Sequence, residues 1–256
     1  MQLKLLRNAL LKLSYAGKTL LIDPDFGEKF SRRSIAGKSQ NPMVDLPEPI
    51  EDILAGVDHV IVSHLHADHF DEVAKARIPK DIPLICQPGN EEAIRAAGFS
   101  NVEPLECFVR IGPIVVKPQP AQHGTGPVVE VMGKVMGFTL EAPGEPSVYW
   151  CGDSVLYPPL QEAVAKAEPD VIVTHSCGAL WDGTLIVMDA QQTLDLAEQA
   201  PQAVIVATHM EALDHASVSR QALREAADAR GIGRDRLLIP ADGATIELKA
   251  PVHAGA

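Results

Sequence analysis

Cysteine is scarce in this sequence, and no two cysteines lie close together. The chain of 256 residues has four of them, Cys86, Cys107, Cys151 and Cys177. Their spacing excludes a CxxC-type zinc or redox motif and a dense disulfide framework. Because each lies within or beside an apolar stretch, we expect buried, reduced thiols.

Long apolar runs are also missing. No run approaches the roughly 18–20 residues that a membrane-spanning helix needs. The N-terminal stretch MQLKLLRNALLKLSYAGK has basic residues scattered among its apolar ones and no small-residue cleavage site. We therefore expect no signal peptide, no membrane association and a cytoplasmic location.

Positive charge is in short supply, with 22 Lys and Arg residues against 34 Asp and Glu residues and a formal net charge of −12. Nucleic-acid-binding proteins usually carry a basic face, so this balance argues for a small-molecule substrate instead. Residues 27–47 are a local exception, with a surplus of basic side chains. Within them, Arg32 and Arg33 are candidates for holding a phosphate or carboxylate of the substrate, with a solvated loop as the alternative.

Apolar runs and turn residues predict two halves of similar organisation, each starting with strands and continuing with alternating strands and helices. Residues 4–24 are predicted to form two strands joined at 15–18, residues 130–142 a strand, and residues 236–248 a closing strand pair. No linker or low-complexity segment interrupts the sequence, so we predict one domain over residues 1–256. The expected class is α/β, with two mixed β-sheets packed face to face and helices outside.

The most informative motif is VSHLHADHFD, which directly follows an apolar run. Residues i and i+2 of a strand face the same side, so His64 and His66 should present two imidazoles in one direction. Asp68 and His69 follow at the expected first turn of a helix. Closely spaced imidazoles would repel one another if protonated, whereas these nitrogen and oxygen donors suit one or two divalent ions.

Three more candidate ligands stand at predicted strand ends. His123 ends QPAQH, Asp153 ends SVYWCGD, and His209 ends AVIVATH. A buried polar side chain without a partner is costly, so polar residues that end apolar strands need a function or a hydrogen bond. Taken one at a time, each histidine could be a hydrogen-bonded core residue. Together they could complete a shared metal site.

These residues, with Asp23 in LLIDP, resemble the metallo-β-lactamase superfamily over nearly the whole chain. RNALLKLSYAGKTLLIDP, NPMVDLP, GDS and HMEALDH resemble the branch of the L-ascorbate-6-phosphate lactonases and related hydrolases. The resemblance implies a four-layer αββα metallo-β-lactamase sandwich with a metal site at one edge. It also implies two divalent ions, zinc first, with Mn²⁺ or Fe²⁺ as alternatives.

The resemblance also implies a role for each candidate residue. One ion would be held by His64, His66 and His123, the second by Asp68, His69 and His209, with Asp153 bridging both. Asp23 would orient a ligand histidine. Oxidoreductases of the diiron flavoprotein type usually carry Glu at the position of His66, so this histidine favours hydrolysis.

Further residues are candidates for contact with the substrate. Asp68 could also orient the attacking water, and His215 could bind substrate or protonate a leaving group. Tyr157 could donate a hydrogen bond to a developing oxyanion, although packing is the alternative. His175, in VIVTHSCG, departs from the pattern of the lactonase-like branch. We expect it to line the pocket or the core, with an eighth ligand as the alternative.

The predicted function is hydrolysis of a small ester or lactone by metal-activated water. The choice of lactone comes from the resemblance alone, since the ligand spacing does not select the bond cleaved. The alternatives are a phosphodiesterase of the same fold, a mononuclear iron oxygenase using His64, His66 and His123, and a non-catalytic metal-binding protein. The resemblance also suggests a homo-oligomer.

Overall fold

The computed structural model describes residues 1–250, so residues 251–256 of the predicted domain lie outside the described part. The first half contains eight strands and three helices. In chain order they are β1 (Gln2–Arg7), β2 (Leu10–Tyr15), β3 (Lys18–Ile22), β4 (Arg32–Arg33), β5 (Gln40–Asn41), α1 (Ile50–Leu54), β6 (His59–Val62), α2 (Glu72–Arg77), β7 (Leu84–Cys86), α3 (Glu91–Ala96) and β8 (Val102–Pro104).

The second half of the chain contains the remaining elements. In chain order they are β9 (Val109–Ile111), β10 (Ile114–Gln119), α4 (Val128–Met132), β11 (Gly137–Glu141), β12 (Val148–Trp150), α5 (Pro158–Ala167), β13 (Val171–His175), β14 (Leu180–Trp181), β15 (Thr184–Leu185), α6 (Ala190–Gln199), β16 (Val204–Thr208), α7 (Arg220–Ala229), β17 (Leu237–Leu238) and β18 (Thr245–Glu247).

Two seven-stranded sheets form the body of the protein. Their strand orders are β18-β1-β2-β3-β6-β7-β8 and β17-β16-β13-β12-β11-β10-β9. Each sheet is mixed: β3, β6, β7 and β8 run parallel in the first, as do β12, β13, β16 and β17 in the second, and the other pairs are antiparallel.

The core has three main layers of apolar packing, which explains the four-layer arrangement. The inner layer joins the two sheets, for example Leu13 and Ile22 of the first to Phe138 and Trp150 of the second. One outer layer packs the helices of the first half on the first sheet, and the other packs α5, α6 and α7 on the second. The predicted sandwich of two mixed sheets flanked by helices is confirmed.

Three local predictions were wrong. Residues 4–24 belong to three strands, because Asn8 takes a left-handed conformation (φ 56°) and turns the chain between β1 and β2. Residues 130–142 are not one strand: α4 ends at Met132, Gly133 follows it with a φ of 75° that suits glycine, and β11 starts only at Gly137. The last two strands do not pair with each other, since β17 joins β16 and β18 joins β1.

The cysteines follow their prediction with one exception. Cys86, Cys151 and Cys177 are free and buried, whereas Cys107 is free and exposed. Among residues 1–250, no helix has both the length and the apolar character that crossing a membrane requires.

Candidate metal centre

The ends of neighbouring strands bring the candidate ligands together. The parallel strands β12, β13 and β16 lead directly to Asp153, His175 and His209. Because parallel strands have their carboxyl ends at the same edge of a sheet, these three side chains converge. His123 follows β10, and the His64–His69 segment follows β6 of the facing sheet.

The segment that carries the histidine motif is a loop rather than a strand end and a helix start. β6 already ends at Val62, and α2 begins only at Glu72, so Asp68 and His69 lie in a turn ahead of the helix. The helix starts late because Asp71 is its N-cap and accepts a hydrogen bond from the Ala74 amide at 2.8 Å. The turn leaves the ligand side chains free to point away from the helix.

The first group of ligand atoms comes from His64, His66, His123 and Asp153, and all of them lie within 4.8 Å of one another. His123 Nδ1 donates to the Ile186 carbonyl at 2.8 Å, which leaves Nε2 facing Asp153 Oδ2 at 3.3 Å. His64 Nε2 is buried and has no hydrogen-bond partner among the described residues.

The second group comes from His69, Asp153, His175 and His209, again within 4.8 Å. Asp68 adjoins it: its Oδ2 lies 3.0 Å from His209 Nε2 and 3.4 Å from His69 Nε2. Asp153 belongs to both groups, which is the position that a bridging carboxylate requires. The structure thus brings together all seven residues that the sequence proposed as ligands.

Asp23 lies behind this cluster, where the sequence placed an orienting carboxylate. It is fully buried, and its Oδ2 accepts a hydrogen bond from His69 Nδ1 at 2.9 Å. The same carboxylate accepts the Ser63 amide and hydroxyl, each at 2.7 Å. The bond to Nδ1 leaves His69 Nε2 free to face the ligand groups.

The sequence analysis did not identify Asn8, which contacts both Asp68 and His209 at the second group. Its Nδ2 lies 3.2 Å from the Asp68 carbonyl and 3.4 Å from Asp68 Oδ2. Its own carbonyl accepts the His209 amide at 2.8 Å. A single Asn inside an otherwise apolar segment was the available signal, because such a residue usually marks a turn.

Burial and mutual charge set the protonation of the cluster. Burial, followed by the neighbouring His69 and His66, lowers the pKa of His64 well below its usual value. Burial also acts against the charged form of Asp153, but His209 and His69 outweigh it and hold the pKa of this carboxyl well below its usual value. The cluster therefore keeps an ionised carboxylate among neutral and charged imidazoles.

His69 and His209 shift in the opposite direction to His64. Burial disfavours their charged forms, but Asp153 is the main counter-charge, and the pKa of each ring is raised well above its usual value. Both rings thus favour their protonated forms beside Asp153. Divalent ions would replace these protons, since metal ligands must be deprotonated.

A cavity of about 190 Å³ opens onto these residues. His66, Asp68, His123, Asp153 and His209 form one side of it. His215 also lines the cavity, and the remaining wall is apolar: Ile35, Ala36, Val131, Met132, Ala179, Trp181, Ile186 and Val187. Neither lysine nor arginine occurs among the described residues that line it.

The loop that carries Ile35 and Ala36 to the cavity is tied down by Asp214. The Asp214 carboxylate accepts the Ser34 hydroxyl at 2.5 Å and the Ser39 amide at 2.7 Å. His215 follows directly in the chain, with Nδ1 3.8 Å from Asp214 Oδ1. The Asp214 carboxylate therefore fixes the loop, whereas His215 Nδ1 makes no hydrogen bond among the described residues.

Arg32, Arg33 and Tyr157, the other candidates for contact with substrate, are not among the residues that line the cavity. Arg32 Nη1 and Nη2 donate to the two oxygens of the fully buried Asp25 at 2.7 and 2.6 Å. Arg33 is exposed. Tyr157 packs beside the cluster of apolar residues under α5, and burial raises its pKa.

We expect Arg32→Ala to lower stability rather than to change substrate preference. The variant leaves the buried Asp25 without its bidentate partner, which should cost about 1–3 kcal/mol in the free energy of unfolding. Urea unfolding measures this loss. Arg33→Ala, the matched control, should unfold like the wild type. A rise in KM confined to anionic substrates in either variant would restore the substrate-binding role.

The donor set fits divalent ions. Both groups supply imidazole nitrogens and a carboxylate oxygen, which are ligand types that zinc takes. The unpartnered His64 Nε2 is buried within the first group. Such an atom would be costly without a ligand.

Comparison with known proteins agrees with this geometry. The family model described as the beta-lactamase superfamily domain matches residues 18–210. The UPF0173 protein YddR of Bacillus subtilis is 34% identical over 250 residues, which span 95% of this chain and 98% of that protein. The chain therefore belongs to the metallo-β-lactamase superfamily and, within it, to the family of YddR.

Two solved structures are similar over almost their full length. The isothiocyanate hydrolase from Delia radicum gut bacteria is 36% identical, with a TM-score of 0.92 over 98% of this chain and 100% of that one. A possible metal-dependent hydrolase from Veillonella parvula is 32% identical, with a TM-score of 0.93 over 97% and 99%. The protein is accordingly a metal-dependent hydrolase of this superfamily.

Proposed function

We propose that this protein hydrolyses a small, uncharged, electrophilic substrate with two divalent ions, zinc in the first place. The observation that carries the proposal is the cavity, which has ligand groups on one side, apolar side chains on the other, and no cationic side chain among its described lining residues. A phosphate group away from the bond that is cleaved would have no Lys or Arg partner on the apolar side of this cavity. The volume of about 190 Å³ is small beside the roughly 300–1,000 Å³ of sites for drug-sized ligands.

Within that class, we propose an isothiocyanate with an apolar substituent as the first candidate substrate. The full-length similarity to an isothiocyanate hydrolase supports it, and so does the apolar wall. The predicted lactone or small ester is the second candidate, because the cavity offers His215 as a proton donor for an alkoxide leaving group. The lack of cationic lining residues speaks against phosphorylated lactones, whose phosphate lies away from the bond that is cleaved.

The residues of the centre would have two tasks, to hold the ions and to orient the attacking water. His64, His66 and His123 would hold one ion and Asp68, His69 and His209 the other, with Asp153 between them. When bound, the ions supply a water that ionises near neutral pH and an electrophile that polarises the substrate. Asp68 also borders the cavity, so it can accept a hydrogen bond from the attacking water and orient it.

The reaction of an isothiocyanate needs one water and one proton donor. The water oxygen forms a bond to the central carbon, and the nitrogen takes up protons as the carbon–nitrogen bond breaks. The products are an amine and carbonyl sulfide, which account for all atoms of the isothiocyanate and one water. His215 lines the cavity and can deliver a proton to the nitrogen.

A substrate panel tests this proposal. Zinc-loaded protein is assayed with alkyl and aryl isothiocyanates, lactones, phosphorylated lactones and a phosphodiester, with and without chelator. We expect chelator-sensitive turnover of isothiocyanates, slower turnover of neutral lactones, and none of the phosphate compounds. A preference for the phosphate compounds would contradict the proposal that the apolar wall favours uncharged substrates.

We expect Trp181→Ala to weaken the selection of large apolar substituents. Trp181 is half-buried in the cavity wall, so its loss removes aromatic contact area that only a bulky substituent uses. KM for an aryl isothiocyanate should rise about 5-fold, in line with about 1 kcal/mol of lost aromatic packing. KM for the methyl compound should stay constant.

Phe108→Ala is the control for this variant, because Phe108 is an exposed aromatic residue outside the cavity. It should leave both KM values unchanged. Equal effects of Trp181→Ala on the methyl and aryl compounds would show that the aromatic wall does not select the substituent.

A further inference from the structure

His175 belongs to the second group of candidate ligand atoms, but the two-ion scheme above gives it no role. It ends β13, the middle one of the three parallel strands that lead to Asp153, His175 and His209. Its side chain is fully buried. Unlike the residues of the cavity wall, it does not line the cavity. Burying an imidazole costs free energy unless its nitrogens have partners.

Asp153 is the hydrogen-bond partner of one His175 nitrogen. His175 Nδ1 lies 2.7 Å from Asp153 Oδ1, the length of a charge-assisted hydrogen bond. The other carboxylate oxygen, Oδ2, faces the imidazoles of both groups, at 3.3 Å from His69 Nε2 and 3.3 Å from His123 Nε2. Oδ1 also lies 3.4 Å from His209 Nε2, so the two oxygens differ in that Oδ1 contacts the second group alone and Oδ2 contacts both groups.

The ring of His175 is also held in place by its neighbours. Trp150 meets it edge to face, with ring centroids 5.0 Å apart and an interplanar angle of 85°. The His209 ring packs against it at 4.9 Å. Such packing limits rotation of the imidazole, so Nδ1 stays directed at the carboxylate.

We propose that His175 is a positioning residue that donates Nδ1–H to Asp153 Oδ1 and thereby keeps Oδ2 directed at the imidazoles of both ligand groups. The inference rests on the proposed two-ion function and adds to it. A hydrogen bond through Nδ1 occupies that nitrogen with a proton, so it has no lone pair for an ion. His175 Nε2 has no hydrogen-bond partner among the described residues. Ligation of an ion by His175 is the rival explanation.

Substitution by asparagine separates positioning from ligation. The Asn amide nitrogen occupies nearly the place of a histidine Nδ1, so His175→Asn can keep the donor to Asp153. An amide nitrogen does not bind a metal ion. His175→Leu keeps volume and removes the donor. His209→Ala serves as the reference for loss of a true ligand.

The experiment measures ion binding rather than turnover. Purified apoprotein of each variant is titrated with zinc against a chromogenic chelator, and the cobalt(II) spectrum reports the ligand field. We expect His175→Leu to weaken zinc binding about 10–100-fold. We expect His175→Asn to bind within about 3-fold of the wild type, with two ions and an unchanged cobalt spectrum. His209→Ala should lose one ion.

Other results would contradict the positioning role of His175. Wild-type affinity in His175→Leu would reduce His175 to a packing residue. Loss of one ion from both His175 variants, with an altered cobalt spectrum, would make His175 a ligand. If the leucine variant does not fold, weak binding in His175→Asn still overturns the proposal. A wild-type protein that binds no ion would instead overturn the proposed function itself.

Discussion

Asp153→Asn is expected to remove at least one of the two ions and to lower kcat/KM about 10³-fold or more, because the ion-activated water is lost. Asp153 is the single residue shared by the two ligand groups. Its Oδ2 lies within 3.8 Å of the His64, His69 and His123 Nε2 atoms. An amide carries no negative charge, so the bound ions would lose their common anion. Metal analysis and steady-state kinetics measure the two effects.

The control for this variant is Asp189→Asn. Asp189 is the N-cap of α6 and accepts the Gln192 amide at 2.9 Å. Asparagine caps helices as well as aspartate does, so metal content and kcat/KM should not change. Two bound ions and full activity in Asp153→Asn would show that this carboxylate does not bridge the centre.

Asp68→Asn is expected to keep part of its metal but to lower kcat about 10³-fold, within the range for loss of a positioned proton acceptor. Asp68 Oδ2 lies among His69, His209 and the Asn8 amide, and the side chain also borders the cavity. The amide of asparagine can fill the space but not accept the proton. KM should change little, because the apolar wall is intact.

Asp182→Asn is the matched control here. Asp182 is exposed in the turn between β14 and β15 and lies outside the cavity. Its positive φ of 46° is a conformation that asparagine tolerates well. Kinetics of this variant should match the wild type. An Asp68→Asn protein that turns over as fast as this control would rule out a role for Asp68 in orienting water.

Much of the fold could be predicted from the sequence because apolar runs and turn residues act locally. The hairpin around Ala16 and Gly17 and the helices α5, α6 and α7 follow from such signals. Strand partnership is different, since it depends on contacts between distant segments. β18 begins only seven residues after the last residue of β17. The sequence therefore could not show that the two strands belong to separate sheets.

The candidate ligands could be found in the sequence by a single rule, that polar residues ending apolar strands tend to meet at one edge. Asp153 and His209 obey it. The rule says nothing about partners that lie elsewhere in the chain. The bidentate contact of Arg32 with Asp25 is one such case. Because of it, Arg32 forms an ion pair with a buried carboxylate and does not line the cavity. Asn8 and His175 act through tertiary contacts in the same way.

Metal content measured together with activity tests the central claim most directly. Purified protein is analysed for metals, stripped with a chelator, assayed on an isothiocyanate, and assayed again after zinc is restored. We predict two ions per chain, loss of turnover on stripping, and recovery only as the second equivalent of zinc is added. Full turnover by the stripped protein, or by protein that binds a single ion, would contradict a two-ion centre built on Asp153.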